Sequence, residues 1–176
     1  MGFCLFNNIA VVAASLIERG RRVTIVDWDV HHGNGTQDIF WDDPTVLYCS
    51  THQMPLYPGS GAKHESGIHG TICNAPLSPG DGSDQFRTAM KDRVLNSIEE
   101  FSPDLILISA GFDAHYRDPL AQINLDDDDF DWATGRLMEL ATRFCDNRLV
   151  SVLEGGYDLE GLAVSGAAHI HRLMRG

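Results

Sequence analysis

Short, continuous apolar runs alternate along this chain with longer stretches whose apolar residues recur at helical spacing. The pattern predicts a helix over about Asn8–Arg19, stopped by Gly20, and strands over Arg22–Asp29 and Thr45–Thr51. A helix follows from about Asp84 to Phe101, then the strand "DLILISA" (104–110). A helix around Trp132, Leu137, Leu140, Ala141 and Phe144 runs to Cys145 and leads to the strand "RLVSVLEG" (148–155). A last helix begins after Asp158. Uninterrupted apolar strands between amphipathic helices predict an α/β domain with a mostly parallel sheet covered by helices on both faces.

The opening "MGFCLF" resembles a strand end and passes straight into a helix, with no strand ahead of it. The chain therefore reads as the later part of a larger domain. The single charge run, "NLDDDDFD" (124–131), leads into a helix, where carboxylates complement the helix dipole. It lacks the glycine and terminal glutamate of an EF-hand calcium loop.

Composition narrows the function classes. The 176 residues carry a net charge of −12, which disfavours direct contact with nucleic-acid phosphates and suits cationic partners. No apolar run reaches the length of a membrane span, and no basic leader precedes one. The four cysteines (Cys4, Cys49, Cys73 and Cys145) form no C-x-x-C pair and read as scattered reduced thiols of a cytoplasmic protein.

The chemistry collects at strand ends, where open α/β sheets bind ligands. In "VDWDVHHGNG" (26–35), residues two apart along an extended segment share a face, roughly 6.6 Å from one another. Asp27, Asp29 and His31 then lie on one face, with Trp28 and Val30 on the other. Asp113 follows Gly111 in "SAGFDAH", and Tyr157 follows Gly155-Gly156 in "EGGYD". A lone strand-end Asp is most often a cap or turn residue. Four ionisable groups in succession after a buried strand are costly unless paired or metal-bound. Two carboxylates and an imidazole suit zinc or ferrous iron and leave coordination positions open, as a catalytic site requires. His32 faces away from His31 and reads as a supporting or packing residue. His52, His64, His69, His169 and His171 show no partner spacing and read as surface or core residues.

The motifs "GFCLFNNIAVVAA", "VDWDVHHGNGTQDIFWDDPTVLYCSTHQ", "PLYPGSG", "SAGFDAHYRDPLA" and "LEGGYDLEGLA" resemble the zinc-dependent histone deacetylase superfamily. The similarity is to its class II and bacterial branch, which includes acetylpolyamine amidohydrolases. It implies an arginase-like fold, with residues 1–176 forming the C-terminal portion of the domain. It implies Asp29, His31 and Asp113 as zinc ligands, with Fe2+ as the alternative ion. Asp27, Asp29, His31 and Ser50, with carbonyls near Thr51, match a structural K+ site. Tyr157 matches the tyrosine that donates to the substrate carbonyl. Gly2, Phe3 and Tyr57 match walls of the acyl-lysine tunnel, and Asn34 a supporting position that is Asp in class I members. The implied substrates are an acyl-lysine protein or peptide, or an acetylated polyamine; oligomeric state, including a homo-oligomer, stays open.

One departure stands out. The family's general base is a tandem His-His pair shortly before the G-F-C motif, which here opens the chain, so the pair and the N-terminal strands are expected to be missing. Two other readings remain. A non-catalytic module binding acyl-lysine or a partner accords with that loss, but not with retention of all three ligands and Tyr157. A dimanganese ureohydrolase needs further aspartates where this chain has His32-Gly33 and Ala114-His115.

Overall fold

The computed structural model describes residues 5–175. The elements run α1 (Asn8–Ile17), β1 (Val23–Asp27), α2 (Asn34–Ile39), β2 (Val46–Gln53), β3 (Ile72–Leu77) and α3 (Ser83–Ala89). A π-helical stretch (Met90–Leu95), α4 (Asn96–Phe101), β4 (Leu105–Ala110), α5 (Asp127–Phe144), β5 (Leu149–Leu153) and α6 (Leu159–Arg175) complete the chain. The five strands form one sheet in the order β3-β2-β1-β4-β5, every pairing parallel. Within the described residues the sheet is thus wholly parallel, a stricter arrangement than the mostly parallel one expected.

The central strand explains why the sequence pattern works. All five residues of β1 are buried, as are all eight of β2, because helices cover both faces. On one face Ile9, Ala10 and Ala13 of α1 pack on Val23, Ile25, Tyr48 and Leu107. On the other, Val26, Trp28, Ile106 and Ile108 meet Phe86, Met90, Val94, Ile98 and the α5 residues Phe130, Ala133 and Leu137. Each fully buried Ile, Leu or Phe here contributes roughly 1.5–3 kcal/mol. Asn7 caps α1 by accepting the Ala10 N–H at 3.0 Å. The chain leaves the helix through Gly20, whose φ of +72° few other residues adopt.

Several boundaries differ from the expected ones. The helix from Asp84 to Phe101 is continuous in direction but contains the π-helical stretch at Met90–Leu95. Two elements were not anticipated: β3, an edge strand, and the short α2. The acidic run behaves as expected and does more. At the start of α5, Asp129 Oδ2 accepts the Asp126 N–H at 3.2 Å. Asp129, fully buried, also accepts from Ser83 Oγ at 2.7 Å and Arg87 Nε at 2.8 Å, tying α5 to α3. The cysteines are not all scattered: Cys49 and Cys73 are register partners on β2 and β3.

Candidate metal centre

Three parallel strands, β1, β4 and β5, deliver their carboxyl ends to one place, since Asp27 is aligned with Ser109 and Ala110 with Leu153. Beyond those ends, Asp29, His31 and Asp113 each offer a ligand atom, all within 4.8 Å of one another. The expected strand to Asp29, with Asp27, Asp29 and His31 on one extended face, is not what the fold contains. The strand stops at Asp27, and Asp29 and His31 lie in the loop after it. The loop is held by its own carboxylates: Asp27 Oδ1 accepts the Asp29 N–H at 3.1 Å, and Asp29 Oδ1 accepts the His31 N–H at 2.8 Å. Each acid replaces a lost ladder partner two residues ahead, an Asx-type turn repeated twice. Trp28 and Val30 do point into the core, as the alternation required.

The two acids of the cluster are oriented alike. Asp113 Oδ1 accepts the Val30 N–H at 2.8 Å, and Asp29 Oδ2 accepts the Gly155 N–H at 2.9 Å. Their other oxygens face a single atom, His31 Nδ1, at 3.0 Å from Asp113 Oδ2 and 3.2 Å from Asp29 Oδ1. These contacts raise the imidazole to about 10, with the Asp113 hydrogen bond the larger cause and Asp29 next. Burial pushes Asp113 up to about 7, against the pull of His31. Burial and the neighbouring Asp29 push Asp27 up as well. An acid pair, one buried and one half-buried, mutually repelling and aimed at one imidazole nitrogen, calls for a positive charge at their meeting point. The donor set is therefore chemically suited to a divalent transition metal.

Two glycines make this approach feasible. A Cβ on Gly155 would collide with Asp113 Oδ2 and stand 2.5 Å from Asp29 Oδ2, and one on Gly111 would lie 2.5 Å from the same Asp29 oxygen. Neither close approach was legible in the sequence.

The remaining candidates fall into place around the cluster. Tyr157 is 39% exposed, with its ring edge-on to His31 at 6.3 Å between centroids. Asp118 Oδ2 accepts the backbone N–H groups of Tyr157 and Asp158, a contact sequence reasoning missed; its signal was the Asp118-Pro119 turn pair. Asp27 Oδ2 accepts the Tyr48 hydroxyl, and Ser50, its register partner, is paired with His52 Nδ1 at 2.9 Å. Thr51 is buried beside them. His32 contacts Ser60 Oγ and Gln37 Oε1 and lies tilted against His52, with 4.7 Å between ring centroids. Asn34 opens α2, its N–H donating to the His32 carbonyl. Tyr57 is exposed on the loop after β2. Gly2 and Phe3 lie outside the described residues. Of the other imidazoles, His52 and His169 are buried, while His64, His69 and His171 are exposed. His115, in the position a second metal would need filled, accepts from the Arg117 N–H and lies against Tyr116.

Comparison with known proteins gives one consistent result. The family described as "Histone deacetylase domain" matches residues 1–173. The chain is 44% identical over 164 residues to a probable deacetylase of Archaeoglobus fulgidus, covering 91% of this chain and 46% of that protein. It is 44% identical over 179 residues to a histone deacetylase-like amidohydrolase of Pseudomonas aeruginosa, covering 98% and 47%. Among solved structures, the HDA15 HD domain superposes with a TM-score of 0.92 at 42% identity, covering 99% of this chain and 50% of that one. An acetylpolyamine aminohydrolase from Burkholderia pseudomallei gives 0.89 at 34% identity, covering 98% and 50%. The chain spans about half the length of these relatives. No helix among the described residues is long and apolar enough to cross a membrane.

Proposed function

The chain belongs to the histone deacetylase domain family, and from that premise we propose that it carries the metal-holding half of a zinc-dependent amide hydrolase acting on acyl-lysine or acetylated amines. The observation that carries this reading is the convergence of Asp29, His31 and Asp113 within 4.8 Å at the ends of two adjacent parallel strands. These three residues would hold the ion, zinc in first place and ferrous iron as the alternative. When bound, the ion supplies Lewis-acid polarisation of the amide carbonyl and an acidified water.

The chain's own residues supply the rest. The backbone N–H groups of Val30 and Gly155 fix the two carboxylates, so that little reorganisation is needed when charge arrives. The Tyr157 hydroxyl donates to the carbonyl oxygen as negative charge builds on it, from an edge-on position beside His31. Asp27 and Ser50, aligned across β1 and β2 next to Thr51, are our candidates for a structural K+ site, with Asn34 and His32 supporting the loop that follows. Tyr57 stands as a candidate wall of the substrate entrance. His32, His52, His115 and His169 bond elsewhere, so we assign the general base to residues outside 5–175. The net charge of −12 supports a cationic substrate, a lysine-rich tail or a polyamine. The free, buried thiols support a reducing, cytoplasmic setting.

Metal analysis tests the assignment directly. The purified protein is expected to bind one zinc per chain, and Asp113→Ala to lose it with its secondary structure intact. Two metals per chain, or unchanged zinc in the variant, would overturn it.

A further inference from the structure

Cys49 of β2 and Cys73 of β3 are register partners on adjacent parallel strands, and both side chains enter the same apolar cluster beneath the π-helical stretch and α4. Neighbouring strands lie about 4.8 Å apart, inside the roughly 4.4–6.8 Å between Cα atoms that a disulfide spans. We propose that Cys49 and Cys73 form a redox-active thiol pair, in which Cys73 reacts with a hydroperoxide and Cys49 resolves the product to a disulfide.

The surroundings distinguish the two sulfurs. Ser97 Oγ donates to Cys73 Sγ at 3.4 Å. Arg93 lies against the same thiol, and its Nε is buried with no hydrogen-bond partner among the described residues. A buried guanidinium N–H lacking an acceptor is costly, and negative charge on Cys73 would relieve that cost. The contact from Cys49 and those from Ser97 and Arg93 together draw the Cys73 thiol down to about 6, against burial. Burial pushes the Cys49 thiol up, while the Ser97 hydroxyl and the Arg93 guanidinium favour developing negative charge on Cys73. An ordinary pair of core cysteines would show neither the asymmetry nor the cation.

The reaction balances with the peroxide as the only oxidant. Cys73 Sγ attacks one peroxide oxygen; an S–O bond forms, the O–O bond breaks, and the departing hydroxide takes the Cys73 proton as water. Cys49 Sγ then attacks the sulfenic sulfur; the S–S bond forms and hydroxide leaves with the Cys49 proton as a second water. Two thiols are oxidised by two electrons and one peroxide is reduced. A dithiol reductant restores the pair by exchange. The pair lies one residue from Ser50 and Asn74, and Asn74 donates to the same Gln37 oxygen that contacts His32.

The test is a thiol map of the native protein after hydrogen peroxide, with remaining thiols alkylated and peptides read without reduction. The expected result is a peptide linking Cys49 to Cys73, reversed by dithiothreitol, with both thiols lost about tenfold faster than Cys145. Cys49→Ser should stop at a sulfenic acid on Cys73 that dimedone traps, and Cys73→Ser should leave Cys49 alkylatable. The wild-type map needs no substitution, so it decides the matter even if a variant misfolds. Recovery of both thiols free, at doses that oxidise Cys145, would overturn the proposal. So would loss of the Cys49 thiol at the wild-type rate in Cys73→Ser.

Discussion

Asp118 holds the backbone of Tyr157 in place: its Oδ2 accepts the Tyr157 N–H at 2.7 Å and the Asp158 N–H at 3.3 Å, while Oδ1 accepts the Leu120 N–H at 3.0 Å. The carboxylate is only 7% exposed, so water cannot readily replace it. Hydrogen bonds to a charged group contribute about 1.5–3 kcal/mol, or roughly 10–100-fold if the loss falls on the transition state. In an active, zinc-loaded form of the protein, Asp118→Ala should lower kcat by that factor and leave zinc content unchanged. Asp118→Asn, which keeps one acceptor oxygen, should recover part of the loss. Equal activity in all three forms would show that the Tyr157 loop is held by its other contacts.

Tyr157→Phe separates the hydroxyl from the loop that carries it. Loss of one oxyanion donor typically lowers kcat by about 10²–10³. Zinc content and stability should hold, since the hydroxyl belongs to no ligand set. Turnover within a few-fold of the wild type would reassign Tyr157 to packing against His31.

Gly155→Ala probes the cluster from the opposite side. Its added methyl group would overlap Asp113 Oδ2 and press on Asp29 Oδ2, two oxygens that need to converge. The backbone φ at this position is not of the glycine-only kind, so the effect should be local. The expected outcome is a zinc affinity at least about tenfold weaker, read by competition with a chelator, with far-ultraviolet dichroism unchanged. Unaltered affinity would mean that the carboxylates can spread without cost.

His169 gives the fold a pH dependence independent of the metal. Thr134 Oγ1 donates to the Phe130 carbonyl and so accepts from His169 Nδ1, leaving Nε2 to accept from Ser151. The ring is neutral, 4% exposed, and edge-on to Trp28; burial lowers it from 6.5 to about 4. As pH falls below about 6.5 the unfolded chain takes up the proton first, so stability is lost between there and about 4. The full loss is at most roughly 3 kcal/mol. His169→Gln should flatten the fall in urea midpoint across this window relative to the wild type. His52, also lowered to about 4, keeps part of the slope in both. Parallel pH profiles for the two proteins would exclude a titrating His169.

What the sequence made legible was chemistry placed at the ends of buried strands. "VDWDVHHGNG" and "SAGFDAH" stand out because carboxylates follow uninterrupted apolar runs, and the fold brings those ends together. The local geometry was not legible, because Asp27 and Asp29 end the strand early by accepting N–H groups two residues ahead. β3 escaped notice because its six residues include Pro76, tolerable only because the strand is at the sheet edge. α2 starts inside a run of glycines that reads as a turn. The Gly155 N–H that orients Asp29 lies 126 residues away in the chain, and no local pattern announces such a contact.

The last expectation concerns the 176-residue chain by itself. Asp29, His31 and Asp113 converge within 4.8 Å, yet the buried imidazoles nearest in sequence are engaged: His32 with Ser60 and Gln37, His52 with Ser50 and the Gly61 carbonyl. General-base catalysis is typically worth about 10²–10⁴ in rate, and these two imidazoles are committed to other partners. At one edge of the sheet, β5 pairs with β4 alone among the described strands, and Val150 and Leu153 on it are 46% and 61% exposed. An open apolar edge of this kind favours association. The chain alone should therefore bind zinc, hydrolyse an acetyl-lysine peptide and an acetylated polyamine weakly, and self-associate. The comparison is with the same chain extended upstream through a His-His segment, assayed for both substrates and sized in solution. The extended form should gain about 10²-fold or more in turnover and lose the tendency to associate. Equal, robust hydrolysis by both would place the base within residues 5–175 and require a different assignment for His32 or His115.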